Sequence, residues 1–247
     1  MKKRVLCVVG TRPEAIKMAP VILALKNEKK IDVRVLATAQ HRQMLDQVLS
    51  FFDIQPDIDL DLMQPNQSLT LLTSRLLNKL DDVLLVEKPD VVLVQGDTTT
   101  VMAVSLACFY HRIPIGHVEA GLRTWDIYNP FPEEANRVIT GRLAKWHFAP
   151  TQSSKENLLK EGVVENSIFV TGNTVIDALL MTAAKDITLD VSIPENQRMI
   201  LITSHRRENF GQPFREICAA IKYLANQNLD VFFLYPVHPN PNVKDVA

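Results

Sequence analysis

The sequence has no excess of either charge. It carries 27 basic and 28 acidic residues among 247, which gives a formal net charge of −1 at pH 7. A balanced charge provides no long-range attraction for nucleic acid or for an anionic membrane surface. We therefore expect no nucleic-acid partner, and any anionic ligand has to be held by a local cluster of cations.

Cysteines and long apolar runs are also scarce. Cys7, Cys108 and Cys218 are odd in number and far apart in apolar stretches, which is typical of buried thiols in a reducing compartment. No pair of His, Cys or Asp residues has metal-ligand spacing, so no metal is expected. The first apolar run stops at Gly10, too early for a signal peptide, and no run could span a bilayer. These absences predict a cytoplasmic protein without a membrane partner.

Short apolar runs alternate with helical patterns along most of the chain. The runs lie at residues 4–9, 33–39, 91–95, 113–119, 146–150 and 167–171. Continuous Val, Leu and Ile strands separated by helices are typical of a parallel sheet covered on both faces. The sequence therefore predicts an α/β fold, with a Rossmann-like domain over residues 1–172.

The composition changes after this first domain. A helix entry and then a polar, proline-containing stretch predict a linker at residues 173–197. Beyond it come a strand, a helix and a strand, at residues 198–204, about 213–227 and 230–237. Because two strands and one helix cannot close a doubly wound domain, residues 198–247 are predicted to be the start of a second Rossmann-like domain.

Polar clusters follow the carboxyl ends of the predicted strands. They are GTRPE, AQHRQ, GDTTT and EAGLR in the first domain and SHRREN in the second. In an open parallel α/β sheet, ligands bind outside these strand ends. We interpret the clusters as the lining of one shared ligand crevice.

The first cluster leads into a helix. Gly10 suits a tight turn, and Pro13 occupies a favoured first helical position. Arg12 and Lys17 lie near that helix N-terminus, where backbone N–H groups attract anions, although a surface Arg beside a capped helix explains the motif equally well. The further glycines of a dinucleotide fingerprint and a Walker A loop are missing, which argues against a nicotinamide enzyme.

Two carboxylates stand at strand ends. Asp97 follows a buried strand and could cap the next helix, but Thr98 or Thr99 can cap equally well and leave Asp97 facing the crevice. Glu119 ends an apolar strand, where a partly buried carboxylate needs a partner. A salt bridge to Arg123 or His117 is the structural alternative to a catalytic role for Glu119.

Further charged residues follow Pro132 at a predicted helix start. Two acids in a first turn suit the helix dipole, and an Arg137 three residues after Glu134 favours a structural role for that pair. Glu133 and Asn136 are left to face a ligand.

The second domain contributes His and Arg residues. His205 and Arg206 follow its first strand, and His238 follows its second. A lone His is more often structural, but His and Arg together at strand ends favour a diphosphate ligand.

A set of strings carries a resemblance to a known family. They are GTRPEAIKMAP, TAQHRQMLDQVL, GDTTT, GHVEAGLRT, PEEANR, TGNTVIDAL, HRREN and YPVHPNPNV. Together, and in the family's order, they resemble the non-hydrolysing UDP-N-acetylglucosamine 2-epimerases of bacteria. The resemblance implies a glycosyltransferase-B-like architecture with two Rossmann-like domains around a cleft.

The resemblance also implies an activity. It is the reversible conversion of UDP-N-acetylglucosamine (UDP-GlcNAc) to UDP-N-acetylmannosamine (UDP-ManNAc), by loss and re-addition of UDP and without an added cofactor. The product would supply surface polysaccharides. The family further implies a homodimer and a second, allosteric site for UDP-GlcNAc.

Site residues carry over from the family position by position. The implied catalytic residues are Asp97, Glu119, Glu133 and His205. Arg12 and Lys17 correspond to substrate-cleft residues of the family. We take Arg123, Asn136, Arg137 and Asn173 as further candidate substrate-binding residues. The implied allosteric residues are Gln40, Gln43, Arg206 and His238. Inversion needs proton removal from one face and delivery to the other, so Asp97 and Glu119 are the candidate acid/base pair, with their individual roles unassigned.

One departure from the family concerns length. Family members continue into a Ser-Gly-Gly-x-x-Glu-Glu segment that holds uridine diphosphate and into a C-terminal helix, neither of which is in this sequence. We therefore expect a fragment or a truncated product of a longer enzyme. The alternative function is a catalytically weak or inactive UDP-sugar-binding remnant. A glycosyltransferase of the same fold is disfavoured by the motif set.

Overall fold

A computed structural model describes residues 2–38, 42–62, 67–187, 191–204, 210–237 and 240–247. The chain divides into two compact units, Met1–Lys185 and Asp186–Ala247. The domain and linker boundaries given above stay a prediction. Among the described residues, no helix combines the length and apolar character needed to cross a membrane.

The described part of the first unit is built on a seven-stranded parallel sheet with the order β3-β2-β1-β4-β5-β6-β7. The strands are β1 (Lys3–Val9), β2 (Ile31–Ala37), β3 (Ile58–Asp59), β4 (Val91–Gln95), β5 (Ile115–Val118), β6 (Trp146–Ala149) and β7 (Ile168–Val170). The order reverses between β1 and β4, which makes their carboxyl ends the topological switch point of the sheet.

Helices connect these strands, and a further helix follows the last of them. They are α1 (Arg12–Lys26), α2 (Arg42–Phe51), α3 (Leu69–Glu87), α4 (Thr99–Tyr110), α5 (Glu133–Leu143), α6 (Gln152–Lys160) and α7 (Thr174–Ala183). A strand followed by a helix and a parallel strand is the arrangement that continuous apolar strands require, because both sheet faces must be covered. The predicted α/β class is confirmed.

The core occupies both faces of the sheet. Successive residues of β1 point to opposite sides, so Leu6 packs with α3 and α4 while Cys7 packs with α1 and α2. Cys7 and Cys108 are buried free thiols, as predicted, and burial raises the pKa of each to about 12. Cys218 is half-buried, so the prediction of a buried thiol is wrong there.

The second unit contains, in its described residues, a parallel strand pair. The described elements of this unit are β8 (Arg198–Leu201), α8 (Gln212–Gln227), β9 (Val231–Leu234) and α9 (Pro241–Lys244), and β8 pairs with β9. The four residues of β8 are exposed and those of β9 are half-buried.

Candidate active site

The turn after β1 is fixed by a capping box at the start of α1. The Thr11 hydroxyl accepts from the Glu14 N–H at 3.4 Å, and the Glu14 carboxylate accepts from the N–H groups of Gly10 at 2.5 Å and Thr11 at 3.0 Å. A Cβ on Gly10 would lie 2.7 Å from Thr38 Oγ1 and 3.0 Å from Thr100 Oγ1. Glycine is therefore required where the chain enters α1.

The turn after β4 presents Asp97. Thr98 caps α4 through its hydroxyl, so Asp97 is free of that task. One Asp97 carboxylate oxygen accepts from Arg137 Nη2 at 2.5 Å, and its main-chain oxygen accepts from the Asn136 amide at 2.9 Å. The first turns of α5 thus hold the turn after β4 in place.

The environment of Asp97 shifts its acidity. Burial raises the pKa of Asp97, while the charge and hydrogen bond of Arg137 lower it. The negative charges of Glu133 and Glu119 raise the pKa further, and the net change is upward. A raised pKa brings the carboxyl closer to the neutral range in which an acid/base group works best.

The turn after β5 presents Glu119 in the left-handed region, with φ of 63°. Its carboxylate lies 2.6 Å from Lys17 Nζ and accepts from the Asn173 amide at 2.9 Å and from the amide of Gln95. The side chain is 10% exposed. The structural alternative, a salt bridge from Glu119 to Arg123 or His117, is not what the structure shows. The partners of Glu119 come from α1, β4 and the residue before α7.

His117 lies beneath these turns. It is buried, and its Nε2 lies 2.7 Å from the main-chain oxygen of Gly96, to which it donates. Burial lowers the pKa of His117 to about 4, so the ring is neutral at pH 7. The ring supports Gly96, which turns the chain with φ of 82° just before Asp97.

Arg123 occupies a different position from the other predicted substrate-binding residues. Its side chain is 1% exposed and donates to both carboxylate oxygens of Glu161, at 2.7 and 2.8 Å. The remaining nitrogen, Nη1, donates to the main-chain oxygen of Leu122. All three guanidinium nitrogens thus have contacts within the first unit, and the substrate-binding role of Arg123 stays a prediction.

The acids at the start of α5 differ in surroundings. Glu134 is 1% exposed, accepts from the N–H groups of Thr124 at 3.0 Å and Trp125 at 3.2 Å, and lies 3.1 Å from Arg137 Nη1. These contacts favour the structural role considered for it. Glu133 is half-buried, and its charge acts on Asp97.

The remaining predicted cation of the first unit is Arg12. It is the first residue of α1, is exposed, and borders a cavity of 480 Å³ between α1, α2 and α7. An exposed guanidinium at a helix N-terminus can meet an anionic group of a ligand.

Five predicted residues cannot be placed fully. Gln40, His205, Arg206 and His238 lie outside the described residues, and Gln43 lies in α2 but its side chain is outside them too. Among the described residues, no group of three or more His, Cys, Asp or Glu side chains could hold a metal ion.

Sequence reasoning missed Glu14 and Gln95. A Thr-x-x-Glu capping box marks Glu14, which reaches across to Thr98 at 2.5 Å. Gln95 is the polar last residue of an otherwise apolar strand, and its amide donates to Glu119. Both signals were available in the sequence, but neither indicates which partner the side chain meets.

The two candidate catalytic carboxylates, Asp97 and Glu119, therefore follow two adjacent strand ends. β4 and β5 are paired, with Gln95 opposite Val118, so their carboxyl-end turns are neighbours. Two carboxylates, each with a cation in contact, form an arrangement that can exchange protons with a polar ligand and balance charge on it.

Comparison with known proteins gives a consistent set of matches. The sequence model of a family described as UDP-N-acetylglucosamine 2-epimerase matches residues 23–247. The UDP-N-acetylglucosamine 2-epimerase of Salmonella typhimurium is 56% identical over 252 residues, which cover 98% of this chain and 67% of the relative. The chain thus spans about two thirds of the length of the curated relatives that it matches.

Solved structures agree. A UDP-GlcNAc 2-epimerase from Neisseria meningitidis, bound to UDP-GlcNAc, matches with a TM-score of 0.88 and 52% identity over 98% of this chain and 68% of that one. A putative epimerase from Listeria monocytogenes matches with a TM-score of 0.90 and 50% identity over 100% and 66%. A lipopolysaccharide outer core galactosyltransferase, 14% identical with a TM-score of 0.56, shares the fold alone. The glycosyltransferase-B-like fold class is confirmed.

Proposed function

This chain belongs to the UDP-N-acetylglucosamine 2-epimerase family, isomerases that act on a nucleotide sugar, and on that premise we propose that it inverts UDP-GlcNAc at C2 to give UDP-ManNAc. One observation carries the proposal. Asp97 and Glu119 stand at neighbouring strand ends, each with a cation in contact, Arg137 and Lys17.

The chemistry explains why carboxylates are needed. The C2 hydrogen of a 2-acetamido sugar is not acidic, because no carbonyl is attached to that carbon. When the C1–O bond breaks and its electron pair leaves with UDP, positive charge develops at C1 and the C2 hydrogen becomes acidic. A carboxylate takes this proton as the C1–C2 double bond of 2-acetamidoglucal forms.

Re-addition completes the inversion. A second carboxyl delivers a proton to the opposite face of C2, and UDP attacks C1 to restore the C1–O bond. Asp97 has the raised pKa that suits proton exchange, and Glu119 accepts hydrogen bonds from three side chains that fix its direction. Either carboxyl can remove the proton in one direction and return it in the other, since the reaction is reversible.

Charge on the leaving UDP has to be balanced. We propose this role for Arg12 at the N-terminus of α1, where it is exposed. The support for a catalytic role of His205 and Glu133 is the family resemblance. Solved relatives from Neisseria meningitidis and Staphylococcus aureus are described with UDP-GlcNAc and UDP, respectively, which supports this ligand class.

The proposal extends to biological setting and regulation. The product would supply ManNAc units for surface polysaccharides, and the active form would be a homodimer. Gln40, Gln43, Arg206 and His238 would form a second UDP-GlcNAc site that regulates turnover. The family resemblance is the support for these three roles.

The test uses UDP-GlcNAc in deuterated water. NMR should show deuterium at C2 in both UDP-GlcNAc and UDP-ManNAc, because the proton lost to a carboxyl exchanges with solvent. If the NMR signals of UDP-GlcNAc shift on binding but C2 does not exchange, the chain binds the UDP-sugar without catalysing epimerisation. Absence of both binding and exchange would contradict both functions.

A second experiment tests the elimination step. UDP-GlcNAc carries ¹⁸O in the bridge between C1 and the diphosphate. If the C1–O bond breaks reversibly, the label should spread to the non-bridging oxygens of the same phosphate. Exchange at C2 with a label that stays in the bridge would contradict elimination.

A further inference from the structure

Glu14 joins two turns of the site. It is 3% exposed. One carboxylate oxygen accepts from the N–H groups of Gly10 and Thr11, in the turn after β1. The other accepts from the Thr98 hydroxyl at 2.5 Å, in the turn after β4, 84 residues along the chain and next to Asp97.

Capping α1 does not explain this arrangement. Ser68 and Thr151 cap α3 and α6 from exposed positions without a buried acid. A capping-box Glu can work at the surface, whereas a buried carboxylate loses its hydration. The bond to Thr98 lies outside the capping box, so the burial of Glu14 calls for a second role.

Resting on the function proposed above, we propose that Glu14 is a positioning residue that ties the N-terminus of α1 to the turn carrying Asp97. The two turns adjoin because β1 and β4 are paired, with Cys7 opposite Leu93. A ligand spans both turns if its anionic group is held at the N-terminus of α1 and its reacting carbon lies beside Asp97. Their separation then has to be fixed, since misplacement by about 1 Å can cost roughly a hundredfold in rate.

Charge supports the same link. Burial raises the pKa of Glu14 to about 7, and the negative charge of Asp97 raises it as well, against the hydrogen bonds that lower it. The cations on its own helix are Arg12, Lys17 and, in the last turn, Lys26, and Lys17 is engaged with Glu119 across the site. Glu14 therefore changes charge near neutral pH while facing the turn that holds Asp97.

The central variant is Glu14→Gln. Glutamine keeps the size and serves at this position of a capping box, but it removes the charge. At a pH above 7, where Glu14 is charged, we expect kcat for UDP-GlcNAc to fall roughly ten- to a hundredfold, with KM changed by less than about threefold. The ionisation near pH 7 should also disappear from the pH profile of kcat, because a glutamine does not titrate.

The matched control is Ser68→Ala, which removes the cap of α3 on another part of the unit. It should keep the wild-type kcat and pH profile. If Glu14→Gln does the same, the positioning role is overturned and Glu14 is a helix cap.

A second readout needs no turnover. The pKa of Glu14 is raised from 4.5 to about 7 in the folded chain, so its neutral form is favoured there. Its contribution to stability is present below the unfolded pKa and is lost as the pH rises through the folded value. The unfolding free energy of Glu14→Gln relative to wild type should therefore increase across this window and then level off.

A double-mutant cycle with Thr98→Val isolates the bond itself. The valine also removes the cap of α4, but the cycle subtracts that effect. Non-additive stability supports the bridge, and additive stability overturns it. If the wild-type chain shows no exchange at C2, the proposed function fails, while the double-mutant cycle still decides whether Glu14 joins the two turns.

Discussion

The turns after β4 and β5 hold their carboxylates in different ways. Glu119 is 10% exposed and is contacted by the Lys17 ammonium and by two amides, which come from three separate elements. Asp97 is 29% exposed, and its carboxylate contacts the guanidinium of Arg137. Burial raises the pKa of Asp97, and Arg137 opposes that change.

The contacts of Glu119 mainly fix the direction of its carboxylate, whereas the contact of Asp97 also sets its pKa. A carboxylate with partners on three elements is fixed in direction, and the loss of any one partner leaves two others. A carboxylate with one charged partner depends on that partner for both its position and its pKa. The two sides of the site should therefore respond differently when a single partner is removed.

The largest effect is expected for Glu119→Gln. An amide cannot take the C2 proton or balance charge at C1, so the exchange rate at C2 should fall by roughly 10²–10⁴. UDP-GlcNAc binding should persist, because the diphosphate contacts lie elsewhere. The checks are NMR exchange in deuterated water and titration calorimetry.

Glu165→Gln is the matched control for that change. Glu165 is exposed and pairs with Lys155 at 2.7 Å, so the same substitution there should leave exchange at the wild-type rate. An exchange rate for Glu119→Gln within about twofold of wild type would remove Glu119 from the catalytic set.

Glu134→Ala should give the next largest effect, which is a loss of folding stability. It should disturb the partner of Asp97, Arg137, and leave the partners of Glu119 in place. The change leaves the N–H groups of Thr124 and Trp125 without their acceptor and Arg137 without one of its two anions. Breaking a buried pair in this way should lower the unfolding free energy by about 3 kcal/mol.

The neighbouring acid gives the comparison. Glu133→Ala should change stability by less than about 1 kcal/mol, because Glu133 is half-buried. Denaturant unfolding measures both variants. Equal losses would show that the two acids share one structural role.

Local chemistry made much of the framework predictable. Apolar runs of strand length indicated the parallel sheet, and Thr98 was identified as a residue able to cap α4. Both features depend on residues within a few positions of each other. The rule that ligands meet the carboxyl ends of parallel strands then grouped Asp97 and Glu119 at one edge.

Contacts between distant segments were not predictable in the same way. Neighbours in sequence suggested Arg123 as the partner of Glu119, whereas the cation is Lys17, 102 residues away. Arg123 meets Glu161 instead. A salt bridge depends on which side chains the tertiary packing brings within reach, and a strand-and-helix pattern leaves that undetermined.

Arg137→Lys should have a smaller effect and should act on acidity. Lysine keeps the charge but cannot reach both Asp97 and Glu134 with a rigid fork. Since Arg137 lowers the pKa of Asp97, its replacement should raise that pKa and move the acidic limb of the pH profile to higher pH. We expect roughly a tenfold loss in kcat.

The control for this prediction is Arg142→Lys. Arg142 lies in the last turn of α5 and donates to the main-chain oxygen of Glu161, so its replacement should leave the pH profile in place. A profile for Arg137→Lys that coincides with wild type would separate Arg137 from the ionisation of Asp97.

The smallest effect is expected for Asn173→Ser, which tests the Glu119 side in the same manner. The Asn173 side chain caps α7 by accepting from the Val175 N–H, and a serine can cap the helix in its place. The serine has no amide, so the hydrogen bond that Asn173 donates to Glu119 is lost. Lys17 and Gln95 keep their contacts, so exchange at C2 should fall by less than about fivefold and stability by a few tenths of a kcal/mol. A loss as large as that of Arg137→Lys would mean that Glu119 depends on a single partner as Asp97 does, and the contrast between the two turns would not hold.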